Sequence, residues 1–145
     1  MIRVGLVMLQ GARHAHISSL NEASEDLGLE IEIFEIRKLS HLISSNPDVI
    51  VLPGGESTTM RKTGQDKSSN LIPGIFEWIR ENPSKAVMGT CAGAILLADP
   101  QDGKPPLIGA KVDRNAYGPQ NESFQGIVHS TLLDREFPGI FIRAP

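Results

Sequence analysis

The stretch Ala86-Val87-Met88-Gly89-Thr90-Cys91-Ala92-Gly93-Ala94-Ile95-Leu96-Leu97-Ala98 holds the only cysteine of the chain and decides how the rest is read. Ala86 to Gly89 is a short apolar run of strand type, and Ala92 to Ala98 is a small-residue start to a helix. The cysteine falls where the one turns sharply into the other. Gly89 and Gly93, two residues to either side, leave room for a cramped turn and for close approach of helix to strand, the logic of a nucleophile elbow. A thiol there sits near a helix N-terminus, whose partial positive charge favours the thiolate. The same letters also allow a buried, inert cysteine, because G-x-C-x-G is short and such signatures do not transfer freely between families.

Outward from this stretch, the chain repeats one rhythm. Ile2 to Leu9 is nearly continuous and apolar, as a central parallel strand buried on both faces should be. Gln10-Gly11-Ala12 turns the chain, and Ile17, Leu20, Ala23 and Leu27 recur at helical spacing up to Gly28, a C-terminal cap. Ile31 to Ile36 carries acidic interruptions and suits a strand nearer the sheet edge. A short helical or irregular piece, Leu39 to Ser44, ends at Asn46-Pro47, and Val49 to Leu52 is a third buried strand closed by Pro53-Gly54-Gly55. Glu56 to Met60 opens a helix with hydroxyl residues available to cap it. Gly64 to Asn70 is a polar, breaker-rich loop, and Leu71, Ile72, Ile75, Phe76 and Ile79 mark an amphipathic helix that stops at Asn82-Pro83. Beyond the elbow helix, Asp99 to Pro106 reads as a turn region, followed by candidate strands at Leu107 to Val112, Phe124 to His129 and Ile140 to Arg143.

Strand, connection, strand in this order predicts right-handed crossovers in a parallel sheet, an α/β chain forming one domain over 1–145. In such sheets ligands bind beyond the carboxyl ends of the strands. The turns at Gln10-Gly11, Gly54-Gly55 and Cys91 all lie on that edge and are expected to converge on one crevice.

Composition excludes several classes. With 145 residues, 40% of them hydrophobic and 21% charged, the chain is long enough to bury a core without disulfides or metals. No apolar run approaches the roughly 20 residues that span a bilayer, so membrane insertion is not expected. The N-terminus enters a strand pattern at once, without the pattern of a cleavable leader. A single cysteine forms no intrachain disulfide and fits a reducing compartment, the cytoplasm. Fourteen basic against seventeen acidic residues give a net charge of −3 with no basic block, so nothing points to nucleic acid.

A thiolate that attacks a carbonyl creates an oxyanion, which needs two pre-aimed N–H donors. The N–H of Ala92, directly after the cysteine, is one natural donor. Gly55, from the neighbouring strand-end loop, is the best candidate for the other.

At this point the residues resemble a known family. Leu9-Gln10-Gly11, Leu52-Pro53-Gly54-Gly55-Glu56-Ser57-Thr58-Thr59-Met60, Gly89-Thr90-Cys91-Ala92-Gly93, Arg114-Asn115, Ser123-Phe124 and Phe141-Ile142-Arg143-Ala144-Pro145 look, in that order, like the glutaminase subunit of pyridoxal 5′-phosphate synthase, one of the class I glutamine amidotransferases. The resemblance covers essentially the whole chain, and Leu52 to Met60 is its most specific part. It implies a three-layer, flavodoxin-like α/β fold with a mostly parallel central sheet, no cofactor of its own, and hydrolysis of L-glutamine to glutamate and ammonia. The ammonia would pass to a partner synthase that builds the cofactor. Carried over by position, Cys91 is the nucleophile that forms a glutamyl thioester, and Gly55 with Ala92 forms the oxyanion hole. Gly55, Glu56, Ser57, Arg114, Ile142 and Arg143 bind glutamine. That set suits the substrate, because an arginine grips an α-carboxylate and a carboxylate, hydroxyl or carbonyl accepts from an α-ammonium. Outside the resemblance, Arg114 and Arg143 read as surface ion-pair residues.

The family resembled here also has a His-Pro-Glu stretch near its C-terminus, whose histidine and glutamate complete the triad, and these 145 residues contain none. A thiol needs a base to hold it as thiolate and an acid to protonate the departing ammonia. Of the four histidines, His14 and His41 fall on polar segments that read as surface. His129 ends a candidate strand the family does not use for catalysis. His16 matches a family position where support of structure or of the partner interface is expected. The expectation is therefore a glutaminase whose C-terminal part is missing from this chain. The alternative is a catalytically impaired or non-catalytic subunit that binds glutamine and the synthase, and a more distant one is another elbow-cysteine α/β protein.

Overall fold

Residues 1–9, 13–64, 70–113, 116 and 120–141 are described by a computed structural model, and they fall into two units, Met1–Lys111 and Val112–Pro145. The expected turn at Gln10-Gly11-Ala12 and most of the loop expected after Gly64 lie outside the described residues.

In the first unit the element order is β1 (Ile2–Val7), α1 (Arg13–Leu27), β2 (Ile31–Ile36), α2 (Leu39–Ser45), β3 (Val49–Leu52), α3 (Ser57–Gly64), α4 (Leu71–Glu81), β4 (Ala86–Gly89) and α5 (Ala92–Ala98). The four strands pair in parallel in the order β2-β1-β3-β4. The expected central and edge positions of β1 and β2 are both found. Alternation along the strands sorts the apolar side chains onto two faces. Val4, Leu6 and Val51 point to one face, where Ile17 and Leu20 of α1 pack on them. Val7, Ile50 and Leu52 point to the other, beneath Leu42 of α2, Met60 of α3, Leu71, Ile72, Ile75 and Phe76 of α4, and Leu96 and Leu97 of α5. The result is three layers, helix on sheet on helix. Burying the four α4 side chains contributes about 2 kcal/mol each before chain entropy is set against it.

The two helical layers differ in thickness. Of the four α1 residues expected to face the core, Ile17 and Leu20 are half-buried, whereas Ala23 is exposed and Leu27 is 69% exposed. The end of α1 follows the sequence closely. Gly28 takes φ +62°, its N–H donates to Glu25, and the N–H of Leu29 donates to the carbonyl of Ser24, a Schellman closure. Helix α2 likewise stops on Asn46 at φ +38°, just before Pro47.

Three expectations need correction. Strand β1 ends at Val7 rather than Leu9, although the N–H of Met8 still donates to Ile36 at 2.9 Å. Leu107 to Val112 is not a strand. The Leu107 N–H donates instead to the Leu97 carbonyl at the end of α5, and Leu107 and Ile108 pack on the core as an irregular segment behind Pro105-Pro106. The cap of α3 is a carboxylate rather than a hydroxyl. Glu56 accepts the N–H groups of Thr58 and Thr59 at 2.9 and 2.6 Å, and the Thr59 hydroxyl at 2.6 Å. The Thr59 hydroxyl and these amides hold its carboxyl down at about 2.

Within the second unit, a 3-10 turn at Gln120–Glu122 leads into β5 (Phe124–Ser130), which pairs antiparallel with β6 (Arg135–Phe141). Phe124 and Phe141 face each other in the register, with ring centroids 4.7 Å apart. The strand expected at Ile140 to Arg143 thus begins earlier, at Arg135, and its last two residues lie outside the described ones. No helix among the described residues is long and apolar enough to cross a membrane.

Two outcomes follow from this packing. A Cβ at Gly93 would overlap the carbonyl group of Leu52, so Gly93→Ala is expected to lower stability by about 1–3 kcal/mol. That outweighs the roughly 1 kcal/mol that alanine gains over glycine in a helix. An unchanged urea midpoint would contradict it. For Glu56, the folded carboxyl titrates near 2, below the usual 4.5, so its contribution is complete above about 4.5 and is lost as the pH falls towards 2. Thermal midpoints of Glu56→Gln should therefore lie below those of the parent at neutral pH and converge with them on acidification. A gap that stays constant from pH 7 to pH 2 would show that the cap does not act through its charge.

Candidate active site at the carboxyl edge of the sheet

Strands β3 and β4 run parallel and finish together, with Leu52 opposite Gly89. Their ladder extends one step further, since the N–H of Thr90 donates to the Leu52 carbonyl at 3.0 Å. The chain then reverses at Cys91, which takes φ +50° and ψ −115°. A non-glycine residue there is strained, and the strain persists only where the surroundings over-determine it. Those surroundings are visible. Gly93 donates to the Thr90 carbonyl at 2.9 Å and Ile95 donates to the Cys91 carbonyl at 3.1 Å, which starts α5 directly behind the thiol. A Cβ at Gly89 would meet the backbone of Gly93 and Ala94 at 2.7 Å, so both flanking glycines make room as the motif requires. Cys91 itself is exposed, which removes the inert core cysteine as a reading.

The glycine loop arrives beside it. A Cβ built on Gly54 would lie 3.1 Å from the Cys91 Cβ and 3.8 Å from its Sγ, so the bare glycine backbone comes close beside the thiol, and a side chain there would crowd the Cys91 methylene. Gly55 follows, exposed and at φ +155°, a conformation that favours glycine. Glu56 is exposed and caps α3, while Ser57, the first residue of α3, is 5% exposed. Ala92 is buried as the first residue of α5, where N–H groups have no acceptor within the helix. Of the residues expected at the site, Cys91 and Ala92 therefore stand together, with the loop Gly54-Gly55 alongside and Glu56 and Ser57 leading away from it. Arg114, Ile142 and Arg143 lie outside the described residues, as does Asn115.

The histidines divide. His14 is exposed beside Arg13, and His129 lies in β5 of the second unit, 3.9 Å from Asp134. His41 is half-buried rather than fully on the surface, its Nδ1 facing the N–H of Arg37 at 3.5 Å. His16 is the one that reaches the edge where Cys91 stands, its Nε2 lying 3.2 Å from the hydroxyl of Thr90. Sequence reasoning gave His16 only a general supporting role. The available signal was topological, because α1 starts at the carboxyl end of β1 and its first turn belongs to the same edge.

Arg61 was missed altogether. It is 8% exposed on the buried face of α3, and its guanidinium donates to the carbonyls of Asp99 and Pro100 just past α5. The helix after the glycine loop is thereby tied to the helix after the cysteine. Among the described residues no group of three or more His, Cys, Asp or Glu is placed to hold a metal ion. What the arrangement offers is an exposed thiol on a strained turn with bare glycine backbone beside it, two of the features that nucleophilic attack on a carbonyl uses.

Comparison with known proteins agrees with this geometry. The SNO glutamine amidotransferase family matches residues 6–145. The chain is 40% identical over 153 residues to the pyridoxal 5′-phosphate synthase subunit PdxT of Thermococcus onnurineus, covering 100% of this chain and 74% of that protein. It is 40% identical to PdxT of Methanothermobacter thermautotrophicus, with 100% and 71% covered, and 44% identical to PdxT of Ignicoccus hospitalis, with 99% and 74% covered. The parallel sheet with helices on both faces is the flavodoxin-like architecture of class I glutamine amidotransferases. On its elbow, its glycine loop and a match that runs from residue 6 to residue 145, the chain belongs to the SNO glutamine amidotransferase family.

Proposed function

We propose that the chain is the glutaminase subunit of a pyridoxal 5′-phosphate synthase, hydrolysing L-glutamine to L-glutamate and delivering the ammonia to a partner synthase. The observation that carries the reading is the Gly54 backbone standing against the exposed Cys91 thiol, in a chain whose relatives are named as subunits of that synthase.

In this reading the Cys91 thiolate adds to the carboxamide carbon of glutamine. The carbonyl oxygen becomes an oxyanion held by the N–H groups of Gly55 and Ala92. As the tetrahedral intermediate collapses, the C–N bond breaks, and the nitrogen takes a proton and leaves as ammonia. Water then adds to the thioester, which releases glutamate and returns the thiol. Glu56, Ser57, Arg114, Ile142 and Arg143, with Gly55, hold the α-amino and α-carboxylate ends of the substrate. Both Glu56 oxygens already accept protein donors.

A second reading concerns these 145 residues taken by themselves, which contain no His-Pro-Glu sequence. The chain would then dock on the synthase and hold glutamine without turning it over. Loss of a triad base costs on the order of 10⁴- to 10⁶-fold in rate, so the two readings separate cleanly by assay.

Incubation with a glutamine analogue carrying a γ-electrophile, followed by peptide mapping, is expected to place the adduct on Cys91 and to show protection by free glutamine. Cys91→Ser should abolish labelling. An adduct elsewhere, or no protection by glutamine, would defeat the nucleophile assignment. Ammonia release by the unmodified chain at the rate of a complete glutaminase would eliminate the second reading.

A further inference from the structure

We propose that His16 is a positioning residue for Cys91, acting through Thr90. The assignment rests on the reading of Cys91 as nucleophile and adds a residue to it. The two side chains meet across 74 positions of sequence, with His16 Nε2 at 3.2 Å from Thr90 Oγ1 in a partly buried setting.

Thr90 ties the elbow both to the sheet and to the start of α5. Its N–H is held by Leu52 and its carbonyl by Gly93. The hydroxyl is the third attachment, and a β-branched side chain has few χ1 choices, so fixing Oγ1 fixes the orientation of the whole residue. Directly after it, Cys91 stands at φ +50°, a conformation that has to be imposed from outside. His16 supplies part of that constraint from a separate element. Among the described residues of α1 none is fully buried, so this helix is held to the sheet by modest apolar contact, and the imidazole is its polar attachment to the nucleophile loop. Because the ring nitrogen engages the hydroxyl beside the thiol, the role is orientation of the turn rather than proton transfer.

The test compares two reagents on the full chain. Iodoacetamide needs only an exposed thiol, whereas a chloroketone analogue of glutamine needs the thiol aimed at a bound substrate. His16→Ala and Thr90→Val are each expected to slow the chloroketone about tenfold, in line with the loss of one hydrogen bond, while iodoacetamide changes less than about twofold. The double variant should be no slower than either single one, since both remove the same contact. His16→Gln, whose amide reaches the position of Nε2, should recover most of the rate. Circular dichroism checks that each variant folds; if His16→Ala does not, Thr90→Val and His16→Gln carry the comparison. Equal chloroketone rates in all variants, slowing that multiplies in the double variant, or a matching fall with iodoacetamide would overturn the assignment while leaving Cys91 as nucleophile. Failure of the chloroketone to label Cys91 in the parent chain, with iodoacetamide labelling it normally, would overturn the nucleophile reading and this one with it.

Discussion

The N–H of Thr90 reaches the carbonyl of Leu52 at 3.0 Å, and this last rung between β3 and β4 fixes where two loops leave the sheet. One loop is Pro53-Gly54-Gly55, the other is the turn at Cys91. Because the strands are parallel and end in register, both loops start at the same height and on adjacent tracks. Shifting the pair by one residue would exchange the faces of every side chain on β4, and Cys91 would no longer stand against Gly54. The remaining features of the site follow from this rung. Gly93 has no side chain because α5 must lie on the Leu52 carbonyl, and a side chain at Gly54 would crowd the Cβ of Cys91.

Packing supports the arrangement unevenly. The face of the sheet under α2 to α5 carries the larger core, and Arg61 adds a buried polar tie from α3 to the end of α5. These elements hold the two loops as one rigid edge. The opposite face depends on Ile17 and Leu20 of α1 over Val4, Leu6 and Val51. Helix α1 is thus the more weakly held neighbour of the site, and its polar contact through His16 has a larger share in what holds it there. In the second unit, the β5–β6 hairpin leaves Ile127 and Ile140 each 69% exposed.

Much of this was legible in the letters because it depends on local pattern. The apolar runs at Ile2, Val49 and Ala86 gave the strands, Gly28 and Asn46-Pro47 gave the helix stops, and Gly89 and Gly93 gave the elbow. In several places where the reading failed, a distant partner decides the outcome. Leu107 to Val112 has a strand's composition, but its first N–H is taken by the Leu97 carbonyl, and no local pattern reveals that acceptor. Strand β6 was half hidden because Pro138-Gly139 reads as a break, yet Pro138 sits opposite Ile127 in a two-stranded ribbon, where a proline without an N–H is tolerated at an edge. Glu56 was read at the start of the helix and on the substrate, with the cap left to a hydroxyl, although its place two and three residues before Thr58 and Thr59 is that of a cap. His16 and Arg61 gave no local signal, since their partners lie 74 and about 38 residues away.

The site as proposed stands or falls on the adjacency of Gly54 and Cys91, since the proposed oxyanion hole presupposes it. A Cβ built on Gly54 would lie 3.1 Å from that of Cys91, somewhat closer than the roughly 3.5–4.5 Å of a disulfide, so the two loops need only part by a few tenths of an ångström for the pair to bridge. The most direct measurement is therefore oxidation of Gly54→Cys. The account predicts that mild oxidant consumes both thiols and that intact mass shows the loss of two hydrogens within a single chain. Two thiols that remain titratable in the folded protein, or that pair only between chains, would contradict it.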